Sequence, residues 1–422
     1  MRLLLVTIIM ALACTAAAVE WNLLSSGVSD HLYGMEFLDA DLGYVVGWGV
    51  SSGGLVLKTE NGGDSWTTRL LSANSYLFDV CWTSENTAYV AGCLNGGSSA
   101  AIWRTTNSGL TWVPSSFGTS WGFYAVEFPS ESVGYAGGWT GRIYRTLNGG
   151  DNWSLCSTGT SNVFRYMDMV DETHGFAACG SNYNNSNMIY KTENGTNWSL
   201  VKNFGGSMLI GGMHFFDENT GVIVGKDTNE AVLKTYDGGA SWTSKHSGPA
   251  GYTLQGLSFS GGIGFAVGHG GRVLISQDFG ETWELDGATT PSTTLMAASL
   301  KAGTAYTAGI SGRIFKRNDG TAVSPDEKPK QIQLGQNYPN PFNPSTEISF
   351  RLTEKGAVKL AVLNLGGKRV RTLHPGSVLN AGEHSVRWNG LDDGGRPLPS
   401  GVYFCAIEMS GEASSRKMIL LK

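Results

Sequence analysis

Apolar residues recur along this chain in short alternating runs, broken by clusters of Gly, Asn, Asp and Ser. That is the pattern of half-buried strands joined by tight turns, and it predicts an all-β protein. One unit can be read between residues 31 and 66. Residues 31–38 alternate as an inner strand, GYVVGW at 43–48 makes a second, and LVLKT at 55–59 a third. The segment ending at Trp66 opens a fourth.

The unit repeats. KTENGGDSW ends at Trp66, RTTNSGLTW at Trp112, RTLNGGDNW at Trp153, KTENGTNW at Trp198, KTYDGGASW at Trp242 and ISQDFGETW at Trp283. Successive tryptophans are 46, 41, 45, 44 and 41 residues apart, the length of a four-stranded unit. The shared Asn or Asp and Gly predict the turn between the third and fourth strands. The short side chain bonds its own backbone and glycine takes the positive φ. Asn61, Asn107, Asn148, Asn194, Asp237 and Asp278 are thus read as structural, and the tryptophans as plates between sheets. A seventh unit, with strands near 295–300, 304–309 and 313–317, lacks its tryptophan. Trp21 lies 45 residues before Trp66 and supplies the missing phase, so the first strand is expected to close the last blade. Over residues 20–320 the chain resembles the Asp-box (BNR) propellers, in particular the seven-bladed group related to photosystem II assembly factors. That resemblance implies a fold and not an activity.

After Val323 the composition changes. SPDEKPKQIQ reads as a charged linker, and LGQNYPNPFNPSTEISF follows, its prolines at 339, 341 and 344 forbidding helix. The runs EISFRL, AVKLAVLN, EHSVRWNG, GVYFCAIEM and KMILLK then predict a small antiparallel β-sandwich, with turns at Gly366-Gly367 and Asp393-Gly394-Gly395. Residues 337–344, 363–369, 388–390, 401–403 and 416–422 resemble the C-terminal sorting domain of the type IX secretion system, related to an immunoglobulin-like flagellar hook-cap domain. The resemblance implies export across the outer membrane, with the domain removed and the cargo released or tethered. The domain reading is 1–18 signal peptide, 19–322 propeller, 323–334 linker and 335–422 sorting domain.

Composition narrows the function classes. Fifty-nine glycines and only 15% charged residues argue against a helical bundle and a disordered chain. A net charge of −5 gives no footprint for nucleic acid. Arg2, the apolar run from Leu3 to Ala13 and the small residues Ala16 and Ala18 predict a signal peptide cut before Val19. No later stretch is long and apolar enough for a transmembrane span. The cysteines of the mature chain, Cys81, Cys93, Cys156, Cys179 and Cys405, form no C-x-x-C pair and read as buried thiols.

Candidate chemistry lies where the units differ. No H-E-x-x-H, P-loop or R-I-P segment occurs, and neither a metal site nor a cofactor is expected. The position after the second strand is Trp48, Cys93, Trp139, Gly180, Lys226, His269 and Ile310. With Tyr76, Trp121 and Tyr252 it is expected on the face opposite the boxes. Trp48, Trp121, Trp139, Lys226 and His269 are the binding candidates, since exposed rings suit sugars or peptide side chains; packing between blades is the alternative. Glu36, Glu127 and Asp168 share an inner-strand phase with Cys81, His214, Ser258 and Ser299, and paired carboxylates there could hydrolyse glycosides. Arg142, Arg272 and Arg313 read as solvated surface charge. The leading expectation is a secreted or cell-surface, non-enzymatic scaffold for polysaccharide or an envelope protein, exported through type IX machinery by way of the periplasm. A glycoside hydrolase and an assembly factor for an envelope complex are the alternatives.

Overall fold

The computed structural model describes residues 20–49, 53–118, 121–179, 187–206, 208–286, 292–318, 332–335, 337, 339–352, 355–364, 368–380, 382–409 and 412–421. The expected signal peptide, most of the expected linker, Gly180, Tyr338 and the Gly366-Gly367 turn lie outside them. The chain divides into two compact units, Met1–Val323 and Ser324–Lys422.

The first unit is a seven-bladed β-propeller of four-stranded antiparallel sheets. Blade 1 is built from His31–Phe37, Leu42–Gly49, Gly53–Glu60 and Thr67–Ser72. Blades 2 to 6 repeat the order over residues 76–116, 123–155, 164–205, 209–250 and 254–285. Blade 7 takes Leu295–Lys301, Thr304–Gly309 and Ile314–Asn318 from the end of the repeat and its outer strand, Glu20–Leu24, from the beginning. Trp21 pairs with Arg317 in that ladder. Its indole Nε1 donates to Asp286 Oδ2 of blade 6 at 2.7 Å, and Arg317 Nη1 donates to the same oxygen at 2.8 Å.

The core lies between blades. Each of the propeller's hydrophobic clusters joins two neighbouring sheets, and each box tryptophan sits at the seam toward the preceding blade. Trp66, Trp153, Trp242 and Trp283 meet an inner-strand phenylalanine edge to face, at 5.7–6.3 Å. Trp112 and Trp198 meet Tyr44 and Tyr135 in the same way.

The box turns show why the sequence repeats. In blade 1, Thr59 Oγ1 accepts the Gly63 N–H at 2.8 Å and donates to Asn61 Oδ1 at 3.0 Å. Asn61 Oδ1 accepts the Ser65 N–H at 3.0 Å, while Gly62 and Gly63 hold φ of 63° and 89°. Asn107, Asn148, Asp237 and Asp278 repeat this arrangement. The box at Asn194 is one residue shorter. Its Oδ1 takes the N–H groups of both Thr196 and Asn197.

The second unit is a small antiparallel β-sandwich of a three-stranded and a four-stranded sheet around one core. The Asn-Pro segment ties down the last strand, Glu412–Leu420. Phe342 exchanges backbone hydrogen bonds with Ile419 and Leu421, and Asn340 Oδ1 accepts the Ile419 N–H at 2.8 Å.

Candidate functional site

Simple alternation fails on the inner strands. Their buried residues fall at i, i+3 and i+5: Leu32, Met35 and Phe37 in blade 1, Leu77, Val80 and Trp82 in blade 2, Phe123, Val126 and Phe128 in blade 3. The extra residue in the first interval is a β-bulge, and it recurs in the register of all seven blades. A bulge re-aims one side chain away from the ladder. The bulged residues are Tyr33, Phe78, Tyr124, Arg165, Gly211, Gln255 and Met296, and together they line a channel cavity of about 360 Å³. The structural repeat fixes the bulge, while the residue placed on it is free to vary.

Blades 1 to 3 place aromatic rings on the bulge, and the rim extends them. Tyr33 stacks on Trp48 at 6.0 Å, Trp48 meets Tyr76 at 4.5 Å, and Tyr33 meets Phe78 at 6.0 Å. Phe78 lies 4.4 Å from Tyr124, whose hydroxyl accepts the Trp139 Nε1–H at 2.9 Å. Trp139 stacks on Trp121 at 4.9 Å. Trp121 is 51% exposed and holds a φ of 66°, a region bulky residues avoid. Its N–H donates to Gly97 O at 2.6 Å. Trp48 and Trp139 are half-buried between neighbouring rings, so packing and display coexist there.

Below the rings lie carboxyl groups. Glu36 Oε2 accepts the Trp82 N–H of the next blade at 3.0 Å, and Asp79 Oδ2 accepts that of Val126 at 3.0 Å. Asp168 accepts the Phe215 N–H and lies 3.3 Å from His214 Nδ1. Ser258 and Ser299 bracket Leu300 and Phe37 in the same way, each at 3.0 Å. Five of these seven seams therefore carry a side-chain bracket between inner strands. Glu127 makes no hydrogen bond or ion pair among the described residues. Burial pushes Glu36 up to about 7 and Asp79 up to about 6. Burial, reinforced by Asp168, Glu36 and Asp79, raises Glu127 well above the ordinary carboxylate range. Of the three candidate catalytic acids, Glu36 and Asp168 are occupied in holding blades together.

The other nominated residues lie elsewhere. Lys226 ends the second strand of blade 5, opposite Leu209, and His269 Nε2 faces Gln255 Nε2 at 3.1 Å on blade 6. Neither joins the aromatic sector. Trp48, Cys93 and Lys226 belong to their second strands, whereas Trp139, His269 and Ile310 each open a single 3-10 turn. The expectation that Arg272 is solvated is corrected. It grips Glu230 of blade 5 through two bonds of 2.9 and 2.7 Å, because Glu230 is fully buried and needs a counter-charge. Asp171, His174 and Glu218 cluster near the box face, but the Nδ1 of His174 is already bonded to Asp171 at 2.8 Å.

Residues 191–325 match the family model of photosynthesis system II assembly factor YCF48, and residues 337–412 that of the FlgD Ig-like domain. No curated protein matches the chain. Among solved structures the chain is similar to YCF48 bound to D1 peptide, with 18% identity and a TM-score of 0.57 over 70% of this chain and 96% of that one. YCF48 from Cyanidioschyzon merolae gives 19% identity and 0.57 over 70% and 98%. PorZ, a bacterial surface component of the type IX secretion system of Porphyromonas gingivalis, gives 13% and 0.52 over 92% of this chain and 59% of that one. At these identities the likeness is one of fold.

Proposed function

We propose that this chain is a binding and scaffold propeller of the bacterial cell envelope. Its aromatic sector, formed by blades 1 to 3 on the channel face, engages a protein partner, and its second unit serves as a type IX sorting domain behind a cleaved signal peptide. The observation that carries the reading is Trp121, held half exposed at positive φ and stacked on Trp139. Strain of this kind costs about 1–3 kcal/mol and persists where the surroundings impose it, commonly at ligand contacts. The named relatives support the choice of a protein partner. YCF48 has been captured with a peptide, and PorZ is described as a secretion-system component. Glu36, Asp79 and Asp168 are read as blade brackets, which leaves binding as the stronger use of this face.

Trp121→Ala removes the exposed ring without touching a box or a seam. Partner yield from cells carrying the tagged full chain is expected to fall about tenfold, the loss of one aromatic anchor, with the melting temperature nearly unchanged. An unchanged yield would remove this sector from consideration. The sorting proposal is checked by the intact mass of the extracellular form, which is expected to lack residues 335–422.

A further inference from the structure

The seven bulged residues divide the channel mouth unequally. At the bulge, Tyr33, Phe78 and Tyr124 make one wall aromatic, while blades 5 to 7 place Gly211, Gln255 and Met296 there and contribute His214 and Phe259 elsewhere in the lining. The aromatic wall already holds a cation: the Arg165 guanidinium of blade 4 lies 4.7 Å from the Tyr124 ring centre. A ring face attracts a cation through its quadrupole, and more strongly away from water. Phe78 and Tyr33, one and two blades further round, offer the same chemistry with no cation over them among the described residues. On the floor, Glu127 faces the cavity without a partner among the described residues, although every carboxylate near it except its own has been given a backbone N–H.

We propose that the channel mouth receives one lysine or arginine side chain of the partner protein, laid against Tyr33 and Phe78 with its charged end toward Glu127. The proposal rests on the reading of this face as a protein-binding surface and adds the chemistry of its anchor. A polypeptide suits the site better than a small quaternary ammonium ion. The ring contacts continue outside the channel through Trp48, Tyr76, Trp139 and Trp121, where residues flanking the inserted side chain would rest.

The titratable and charged groups facing the site come from six of the seven inner strands. They are Tyr33 and Glu36, Asp79 and Cys81, Tyr124 and Glu127, Arg165, Tyr166 and Asp168, His214, and Lys301 at the end of the blade 7 strand; Leu254–Ser260 contributes none. A bound cation favours the ionised acids. Burial raises Glu36 to about 7 and Asp79 to about 6 and lifts Glu127 well above the ordinary carboxylate range, so these acids gain charge as pH rises and affinity rises with it.

The test titrates the full chain with four capped pentapeptides that differ only in a central lysine, arginine, glutamate or leucine. The lysine and arginine peptides are expected to bind at least about tenfold more tightly than the other two. The preference should grow by several-fold between about pH 5.5 and about pH 8. Glu127→Gln, which breaks no hydrogen bond among the described residues, should erase most of it while a thermal melt confirms the fold. Phe78→Leu, which keeps an apolar side chain and removes the ring, should weaken both cationic peptides. Equal binding of all four, tighter binding of the glutamate or leucine peptide, no binding of any, or an unaltered preference in Glu127→Gln would each overturn the proposal. If a Trp121-dependent partner is captured and the lysine peptide fails to compete with it, the anchor fails while the protein-binding reading stands. If no envelope protein is captured in a Trp121-dependent manner, the broader reading fails as well.

Discussion

At the scale of single residues, two buried carboxylates illustrate opposite uses of charge. Glu230 is enclosed by Arg272 and by His246 Nε2 at 3.0 Å. Burial alone would raise its proton affinity, but the bonds from His246 and Arg272 outweigh it and leave the group below its ordinary value. Its contribution to stability is therefore present above the unfolded value and lost as pH falls through the folded one. Arg272→Ala leaves a buried charge with one partner fewer, and denaturation near neutral pH should show a loss of about 3 kcal/mol. Glu127 runs the other way. Its folded value is raised, so folding is favoured while it is protonated, and that advantage disappears as pH rises through the folded value. Glu127→Gln should melt with the wild type near pH 5 and about 2 °C or more above it near pH 8.5. A variant that melts lower at the higher pH would show that the ionised carboxylate stabilises the fold.

At the scale of elements, the closing strand carries most of the risk. Glu20–Leu24 covers the outer edge of blade 7, and Trp21 reaches across to Asp286 of blade 6. Trp21→Ala should cost about 3–5 kcal/mol. Hydrogen exchange should show protection lost first in Thr304–Gly309 and Ile314–Asn318, and uniform loss around the ring would contradict a local latch. This strand was legible in the sequence because it keeps the tryptophan phase of the repeat. The box turns were legible for the same reason, since each needs a Thr or Ser, an Asn or Asp and a Gly at fixed spacing. The bulges were not read, although their mark was present: Leu32, Met35 and Phe37 are spaced three and then two. Plain alternation over 31–38 passes over the bulge, and with it Tyr33 and its counterparts Phe78, Tyr124 and Arg165. Arg272 escaped for another reason. Its partner Glu230 lies 42 residues away on the preceding blade, and only the packing of blade 5 against blade 6 brings the two together.

At the scale of the whole molecule, the repeat divides labour between two faces. The box turns and the turns between first and second strands share one face and are occupied by their own hydrogen bonds. The opposite face carries the bulged residues, the channel mouth and the aromatic rim, where blades 1 to 3 have departed from the pattern of the other four. The most direct test places a photoreactive amino acid at position 121 on the aromatic face, or at position 148 in a box turn, in the full chain within its native cell. The structure predicts a discrete crosslinked envelope protein from position 121 and none from position 148. Equal crosslinking from both positions, or capture only from 148, would contradict a partner-binding role for the aromatic face.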